Sequence, residues 1–376
     1  MNIGMYKAGL IGDSIVALHA IYALKILYPN AKIHIYTNDI GVSVYKNFSF
    51  INSLINISQM PIDSVIADID SKDFTHFILT QPNRSIAKVI LKTKLRKIIT
   101  FRTFFTFFEP RFKTIFFSRN FGHTPQYKRN LALVRLIDSK LYDKKIKSID
   151  FSPIRMHSLD FNKEKIRQFL IESFGLEFYQ NIESKSYKNH NFIESNLKDS
   201  KDSKNHNMLN KNFQDSKLIL INPFVRTTFC NLTLNGWINC IKILSDNYPQ
   251  HRFVIPTFSG NPSIAEQIKM CKNVAIFNND SDLCNIVALL ELSDLLISPS
   301  TGISHIADNL AVPIIWLCSK RDTWLWRGEN MDPVLFVIMD ETQWEVKPQK
   351  ERYYITQILV KSYHLLEYDD DDEFFD

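Results

Sequence analysis

Short apolar runs alternate with longer stretches of helical spacing along the first hundred residues. Asn2–Tyr6 predicts a strand that breaks at Lys7-Ala8-Gly9-Leu10-Ile11-Gly12. A helix is expected from Asp13 to about Tyr28, apolar nearly all round (Ile15, Val16, Leu18, Ile21, Tyr22, Leu24, Leu27), as for a helix buried against a sheet. Pro29-Asn30 stops it. Lys32–Tyr36, Thr75–Leu79 and Lys97–Phe101 predict further strands. Strand, helix, strand in this order implies a parallel sheet with crossover helices.

The pattern fails over 181–216, where 23 of 36 residues are Asn, Ser, Lys or Asp and 8 are apolar. Such a stretch buries too little surface to offset the entropy of ordering it and is expected to be a linker or loose insertion. Alternation then resumes. Leu218–Phe224, Arg252–Phe258, Asp294–Ser298, Val312–Leu317 and Val334–Met339 predict strands. Thr233–Tyr248 is an amphipathic helix with Leu234, Trp237, Ile238 and Ile241 on one face. Further helices fall near 262–271, 281–292 and 302–310, and a last one over Glu351–Leu366 precedes an acidic tail, 369–376. The expectation is α/β, with two doubly wound Rossmann-like halves and ligands at the carboxyl ends of the strands.

Composition narrows this only slightly. The 376 residues suit two domains, and 45% hydrophobic with 23% charged residues excludes wholesale disorder. Five cysteines without a CxxC pair argue for reduced thiols in the cytoplasm, not a disulfide framework or zinc site. No secretion signal and no run of 18 apolar residues is apparent, so a soluble or membrane-peripheral protein is expected.

Three strand-to-helix corners carry candidate chemistry. Lys7–Ser14 has Gly9 and Gly12 but not the GxGxxG spacing; it places Asp13 at an open strand end, as a helix cap or as a functional carboxylate. Ser298–Asn309 contains Ser300, Thr301, Gly302, Ser304 and His305 at a helix start, where free N–H groups suit a diphosphate; the alternative is an ordinary turn with a core histidine. Asn222–Thr228 brings Arg226, Thr227 and Thr228 to a strand end, and a guanidinium fork suits phosphate, although Arg226 could equally face solvent.

These segments, in this order, resemble glycosyltransferase family 9, the lipopolysaccharide heptosyltransferases of GT-B fold. The resemblance rests on KAGLIGDSIVAL at Lys7–Leu18, Tyr28-Pro29-Asn30-Ala31-Lys32-Ile33, the helix Leu283–Asp294, and Thr301–Ala307 followed by Val312-Pro313. It implies two Rossmann-like domains facing across a cleft: an acceptor-binding domain over 1–180, the linker 181–216, a nucleotide-sugar-binding domain over 217–350, and a helix over 351–368 crossing back to the first domain. It also implies inverting, metal-independent transfer of a heptose or related sugar, from ADP-heptose in most members, to a lipopolysaccharide or lipooligosaccharide core.

On that resemblance Asp13 matches the catalytic base, with Gly12 beside it as an acceptor-binding residue. Gly302, Ser304 and His305 fall in the donor diphosphate motif, and Thr227 and Thr228 near the donor loop. Glu266 is a candidate for the ribose, or simply an exposed helical glutamate. Lys128 and Arg129, in Tyr127–Leu131, fall where the family has an acceptor-side helix. Two positions depart from the pattern: Ser300 stands for the family's Asp, and Cys230 for its phosphate-binding Lys, a charge that Arg226 or Arg321 could replace. Another nucleotide sugar, or a catalytically silent binding protein of this fold, are the alternatives.

Residues 84–148 hold 17 Lys or Arg against 3 acidic residues, interleaved with Phe101, Phe104, Phe105, Phe107, Phe108, Phe112, Phe116, Phe117 and Phe121. Most of these phenylalanines are expected in the core. The cations are expected to meet an anionic lipid-linked acceptor at the inner membrane face rather than nucleic acid. No cofactor or metal is expected. Asp68-Ile69-Asp70 has the DxD pattern of metal-dependent glycosyltransferases but is expected in a solvated loop between helix and strand.

Overall fold

The computed structural model describes residues 1–116, 123–195, 216–226, 228, 230–340 and 347–367. The chain forms two compact units, Met1–Arg155 with Trp324–Glu329, and Met156–Thr323 with the residues from Asn330 onward.

The first unit holds a six-stranded sheet of β1 (Asn2–Tyr6), β2 (Lys32–Thr37), β3 (Ser53–Asn56), β4 (His76–Leu79), β5 (Ile98–Phe101) and β6 (Phe112–Ile115), in the order β3-β2-β1-β4-β5-β6. Every pairing is parallel, with Ile3 between Ile33 and His76. Ile3, Met5, Ile33, Ile35, Phe77 and Ile78 are fully buried, as parallel strands covered on both faces require. At the edge, Arg111 ties β6 inward: its guanidinium donates to the carbonyls of Leu91 (2.8 Å) and Thr93 (2.9 Å), at and just past the C-terminal end of the helix Arg84–Leu91.

The second unit repeats the plan with β7 (Leu218–Ile221), β8 (Arg252–Thr257), β9 (Val274–Asn278), β10 (Leu295–Pro299), β11 (Ile314–Ser319) and β12 (Phe336–Met339), in the order β12-β11-β10-β7-β8-β9, again all parallel. Read from the other edge this is the same 3-2-1-4-5-6 winding, the Rossmann order. The core gathers Trp237, Ile241, Phe253, Ile297 and Leu317.

Several expectations change. The predicted long first helix is two, Ile11–Ile15 and Leu18–Leu27, and Asp13 lies inside the first turn; Leu10 takes the cap position. The helix Asp160–Phe174 belongs to the second unit, so the division falls after Arg155 rather than at 180. The reason is polar: Asn162 donates to Asp282 (2.7 Å) and Asn285 (2.8 Å), the Ser158 N–H to Glu291 (3.0 Å), and the Met156 N–H to Asn309 (2.7 Å). Residues 181–195 extend the helix Leu176–Ser195 instead of forming a loose linker, and Phe178 and Ile182 are buried. The rest of that stretch up to 215, and the acidic tail, lie outside the described residues.

The terminal helix Pro348–Glu367 belongs to the second unit. It packs on the helix Leu234–Asn247 and on β11 and β12, with Tyr354, Ile358 and Leu366 in the second core. Glu351 accepts the Thr233 N–H (2.7 Å) and approaches so closely that a Cβ on Gly236 would lie 2.4 Å from its carboxylate. The DxD lies within the helix Ile62–Ser71, where Asp68 accepts from Tyr36 (2.7 Å) and Lys72 (2.5 Å), and Asp70 from the Lys94 N–H (2.7 Å). Among the described residues, no helix is long and apolar enough to cross a membrane, and no group of three or more His, Cys, Asp or Glu could hold a metal ion.

Candidate functional site

In a doubly wound sheet the two central strands send their helices to opposite faces, which leaves an opening at their carboxyl ends. In the first unit those strands are β1 and β4. Lys7 follows β1 directly and Gln81 comes two residues after β4. Both reach Asp13: Lys7 Nζ lies 3.2 Å from Oδ1, and Gln81 Nε2 donates to the same oxygen at 2.9 Å. Among the described residues, Oδ2 has only a 3.4 Å contact from the Leu10 N–H, reaching back over the first turn. Asp13 keeps 19% of its side-chain surface, whereas Lys7 is fully buried. Burial pushes the Lys7 ammonium below its ordinary value, and the Asp13 charge opposes that shift.

The loop leaves room for this carboxylate because residue 9 has no side chain. A Cβ on Gly9 would sit 2.8 Å from the Asp13 Cβ and 3.0 Å from its Cγ. Asn38 donates to the Gly9 carbonyl (3.0 Å) and Tyr45 to the Ser14 carbonyl (3.0 Å), which fixes both sides of the turn. Gly12 is buried within the helix and presents no surface of its own.

Lys128 and Arg129 lie on the helix Gln126–Arg135, which Asn130 ties to the Val16 carbonyl (3.3 Å). Lys128 is exposed, with Nζ 5.7 Å from the Tyr127 ring centre. Arg129 donates to the Thr124 carbonyl (2.8 Å) and stacks 5.7 Å from the Trp324 ring. Beside them His19 pairs with Glu329 (3.3 Å), and that bond, with His19 and Lys128 charge, lowers the Glu329 carboxyl below its usual range.

In the second unit the central pair is β7 and β10. Asn222, buried just past β7, donates to Ser298 (3.1 Å) and Thr301 (3.1 Å) at the end of β10. Thr301 starts the helix Gly302–Asn309, and Ser304 serves that start: its hydroxyl accepts the Thr301 N–H (3.1 Å) and donates to the Thr301 carbonyl (2.7 Å). Ser304 is fully buried, so its side chain is a cap rather than a ligand contact. The Gly302 and Ile303 N–H groups have no intrahelical acceptor, as in any first turn. Ser300 spends its N–H on the Leu317 carbonyl (2.9 Å) and is half-buried; His305 lies buried one turn on.

Arg226 is exposed on the loop after β7, and Thr228 accepts the Cys230 N–H (3.3 Å). Thr227 lies outside the described residues. Cys230 is buried, so the position that departs from the expected lysine presents no charge. Arg321 is exposed just past β11. Glu266 lies on the short helix Ala265–Ile268, exposed and paired with Lys269 at 3.0 Å.

The structure thus gathers Asp13 with Lys7 and Gln81, and Ser300 to His305 with Asn222; Glu266 stays on a solvent-facing turn. Lys7, Gln81 and Asn222 were not singled out from sequence. The available signal was position: each lies within two residues of the end of a buried strand at one of the two central places in its sheet.

No family model and no curated protein matches the sequence. Solved structures match over nearly the whole chain. A glycosyltransferase family 9 protein from Veillonella parvula superimposes with a TM-score of 0.67 at 12% identity, covering 97% of each chain. The ADP-heptose lipopolysaccharide heptosyltransferase II of E. coli gives 0.64 at 12% identity, covering 98% of this chain and 99% of its own. The E. coli heptosyltransferase WaaC, solved with ADP-2-deoxy-2-fluoro heptose, gives 0.60 at 13% identity over 96% and 100%. The fold is therefore GT-B, of the kind these heptosyltransferases have.

Proposed function

We propose that this protein is an inverting glycosyltransferase that moves a heptose or related sugar from a nucleotide diphosphate, ADP-heptose by preference, to a lipopolysaccharide or lipooligosaccharide core acceptor. The observation that carries this reading is the partly exposed Asp13 carboxylate, held by Lys7 and Gln81 at the central strands of its unit. A solved structure of this fold that holds an ADP-heptose analogue supports the choice of donor.

In this scheme Asp13 Oδ2, the oxygen with the looser contact, takes the proton of the acceptor hydroxyl as that oxygen attacks the anomeric carbon. The bond from that carbon to the diphosphate breaks on the opposite side, and the diphosphate leaves with the electron pair. Proton removal by a positioned base is commonly worth 10²–10⁴-fold. The departing charge falls to the Gly302 and Ile303 N–H groups, the positive end of their helix dipole, and Arg226. No metal has a step in this scheme, so a rate retained in EDTA is expected. Lys128 and Arg129 are the acceptor-side cations.

Binding is tested by thermal denaturation with ADP, UDP, GDP and their sugars. A nucleotide at 100 times its dissociation constant stabilises by about 2.7 kcal/mol, and the largest shift is expected with ADP or ADP-heptose. Nucleotide release with a lipooligosaccharide acceptor then tests transfer. A second reading, a binding protein without turnover, is favoured by the buried Cys230 where the resemblance expects a phosphate-binding lysine. A thermal shift without release under any acceptor would select it.

A further inference from the structure

One turn of the first unit reverses the usual pattern of apolar inside and polar outside. In the helix Phe104–Phe107 the polar residue is the inward one: Thr106 is 1% exposed, donates to the Phe101 carbonyl (3.1 Å), and accepts the Thr103 N–H (2.8 Å). The phenylalanines around it point to solvent. Phe104 is 77% exposed and Phe108 75%, with Phe105, Phe107 and Phe116 also exposed. Only Phe101 and Phe112 of this group are core, contrary to the sequence expectation, and Phe117 and Phe121 lie outside the described residues.

The exposed rings form one cluster. Phe104 lies 5.8 Å from Phe105 and 6.0 Å from Phe108, and Phe107 lies 4.7 Å from Phe108, centre to centre. Cations are set into it. The Arg102 guanidinium is 5.0 Å from the Phe107 ring and 5.5 Å from Phe116, and the Arg84 guanidinium 5.5 Å from Phe105. Lys88 is exposed one turn beyond Arg84, on the same side of its helix. The nearby acid in sequence, Glu109, is neutralised by Arg111 at 3.1 Å. A contiguous apolar patch of this kind marks a contact surface. Aromatic rings seated among arginines match the layered chemistry of a bilayer interface, with anionic headgroups outside and hydrocarbon beneath.

We propose that Phe104, Phe105, Phe107, Phe108 and Phe116, with Arg84 and Arg102, are a docking surface that inserts its rings into an anionic phospholipid bilayer. Thr106 holds the turn so that the rings face outward, and the arginines take the lipid phosphates. The surface needs no nucleotide and no sugar acceptor, so its success or failure is independent of the transfer reaction.

The test is co-sedimentation of the full chain with vesicles of phosphatidylcholine alone and of phosphatidylcholine mixed with phosphatidylglycerol. Binding is expected to the mixed vesicles and to weaken as salt is raised. Phe104→Ser with Phe108→Ser should lower vesicle affinity about tenfold or more, with an unchanged melting temperature because both rings are exposed. Arg84→Gln and Arg102→Gln should each cost about fivefold and flatten the salt dependence. Equal binding by the serine variant, or no binding to the mixed vesicles, overturns the proposal. So does binding of single-stranded oligothymidine without binding of vesicles, which would make the rings a base-stacking platform.

Discussion

The two units solve the same topological problem with opposite chemistry. Each has an opening between its two central strands, and in each a side-chain amide spans it: Gln81 reaches from β4 to Asp13, and Asn222 from β7 to Ser298 and Thr301. In the first unit the amide helps hold a carboxylate against a buried ammonium. In the second it orders neutral hydroxyls at the start of a helix whose Gly302 and Ile303 N–H groups have no intrahelical acceptor. One opening offers a group that can take a proton, and the other a set of donors for an anion. The difference lies in the few residues after each strand, because winding and strand order are the same in both.

The strongest way to break this contrast is Asp13→Asn. In the proposed reaction it should lower the transfer rate by 10²–10⁴-fold while leaving the nucleotide-induced thermal shift intact. It should also destabilise the protein by about 3 kcal/mol, since Lys7 loses the charge that compensates its burial. Lys7→Met added to Asp13→Asn should restore stability in a urea titration but not the rate. If the double variant recovers transfer, the carboxylate is only the lysine's partner and the catalytic assignment is wrong.

Gly9→Ala tests the same corner without touching a polar group. The new methyl would press on Asp13, at 2.8 Å from its Cβ, and displace it by a few tenths of an ångström or more. Misplacement on that scale is expected to reduce the rate up to about 10²-fold, with the melting temperature falling by a few degrees at most. An alanine enzyme of full activity would mean that the position of Asp13 does not matter.

On the other side of the comparison, Asn222→Ala removes both bonds that order Ser298 and Thr301. Losing a buried hydrogen-bond donor costs about 1–3 kcal/mol. Part of that should appear as roughly tenfold weaker nucleotide binding by calorimetry. Unchanged affinity would place the nucleotide elsewhere.

The strand pattern made most of this architecture legible, since the buried strands of a parallel sheet are continuous apolar runs such as Leu218–Ile221. The strands not foreseen, β3, β6 and β9, are all edge strands of four or five incompletely buried residues; β3 and β6 mix polar with apolar positions, and the apolar run of β9, Val274–Phe277, is too short to separate a strand from a piece of helix. The placement of Asp160–Phe174 and Pro348–Glu367 was not legible either. An amphipathic helix states that it packs, not on which sheet, and the deciding contacts, Asn162 to Asp282 and Glu351 to Thr233, join residues more than a hundred positions apart. Asp13 stood out because it comes after a strand, but the sequence pattern does not mark Lys7 as its buried partner. The phenylalanines of 104–108 misled because a one-turn helix too short for a periodic signal can face them outward.

Acid gives the units a smaller, separable difference. His251 in the second unit accepts the Lys217 N–H through Nδ1 (3.2 Å), a bond that requires the ring to be neutral. Burial, with Lys217 nearby, pulls its pKa from 6.5 down to about 4. In the first unit His34 and His76 are also held down by burial and neighbouring lysines, but neither His34 nitrogen has a hydrogen-bond partner among the described residues to lose. Between pH 6.5 and about 4 the unfolded chain binds a proton at position 251 that the folded chain refuses. The stabilisation is therefore complete above 6.5, declines as pH falls toward 4, and changes no further below it. The full shift corresponds to about 3 kcal/mol, of which screening leaves on the order of 1. His251→Asn offers an acceptor that does not titrate, so its urea midpoint should vary less between pH 7 and pH 5 than the parent's. Identical slopes would show that the acid sensitivity arises from other groups, with the half-buried His34 and His76 of the first unit the next to replace.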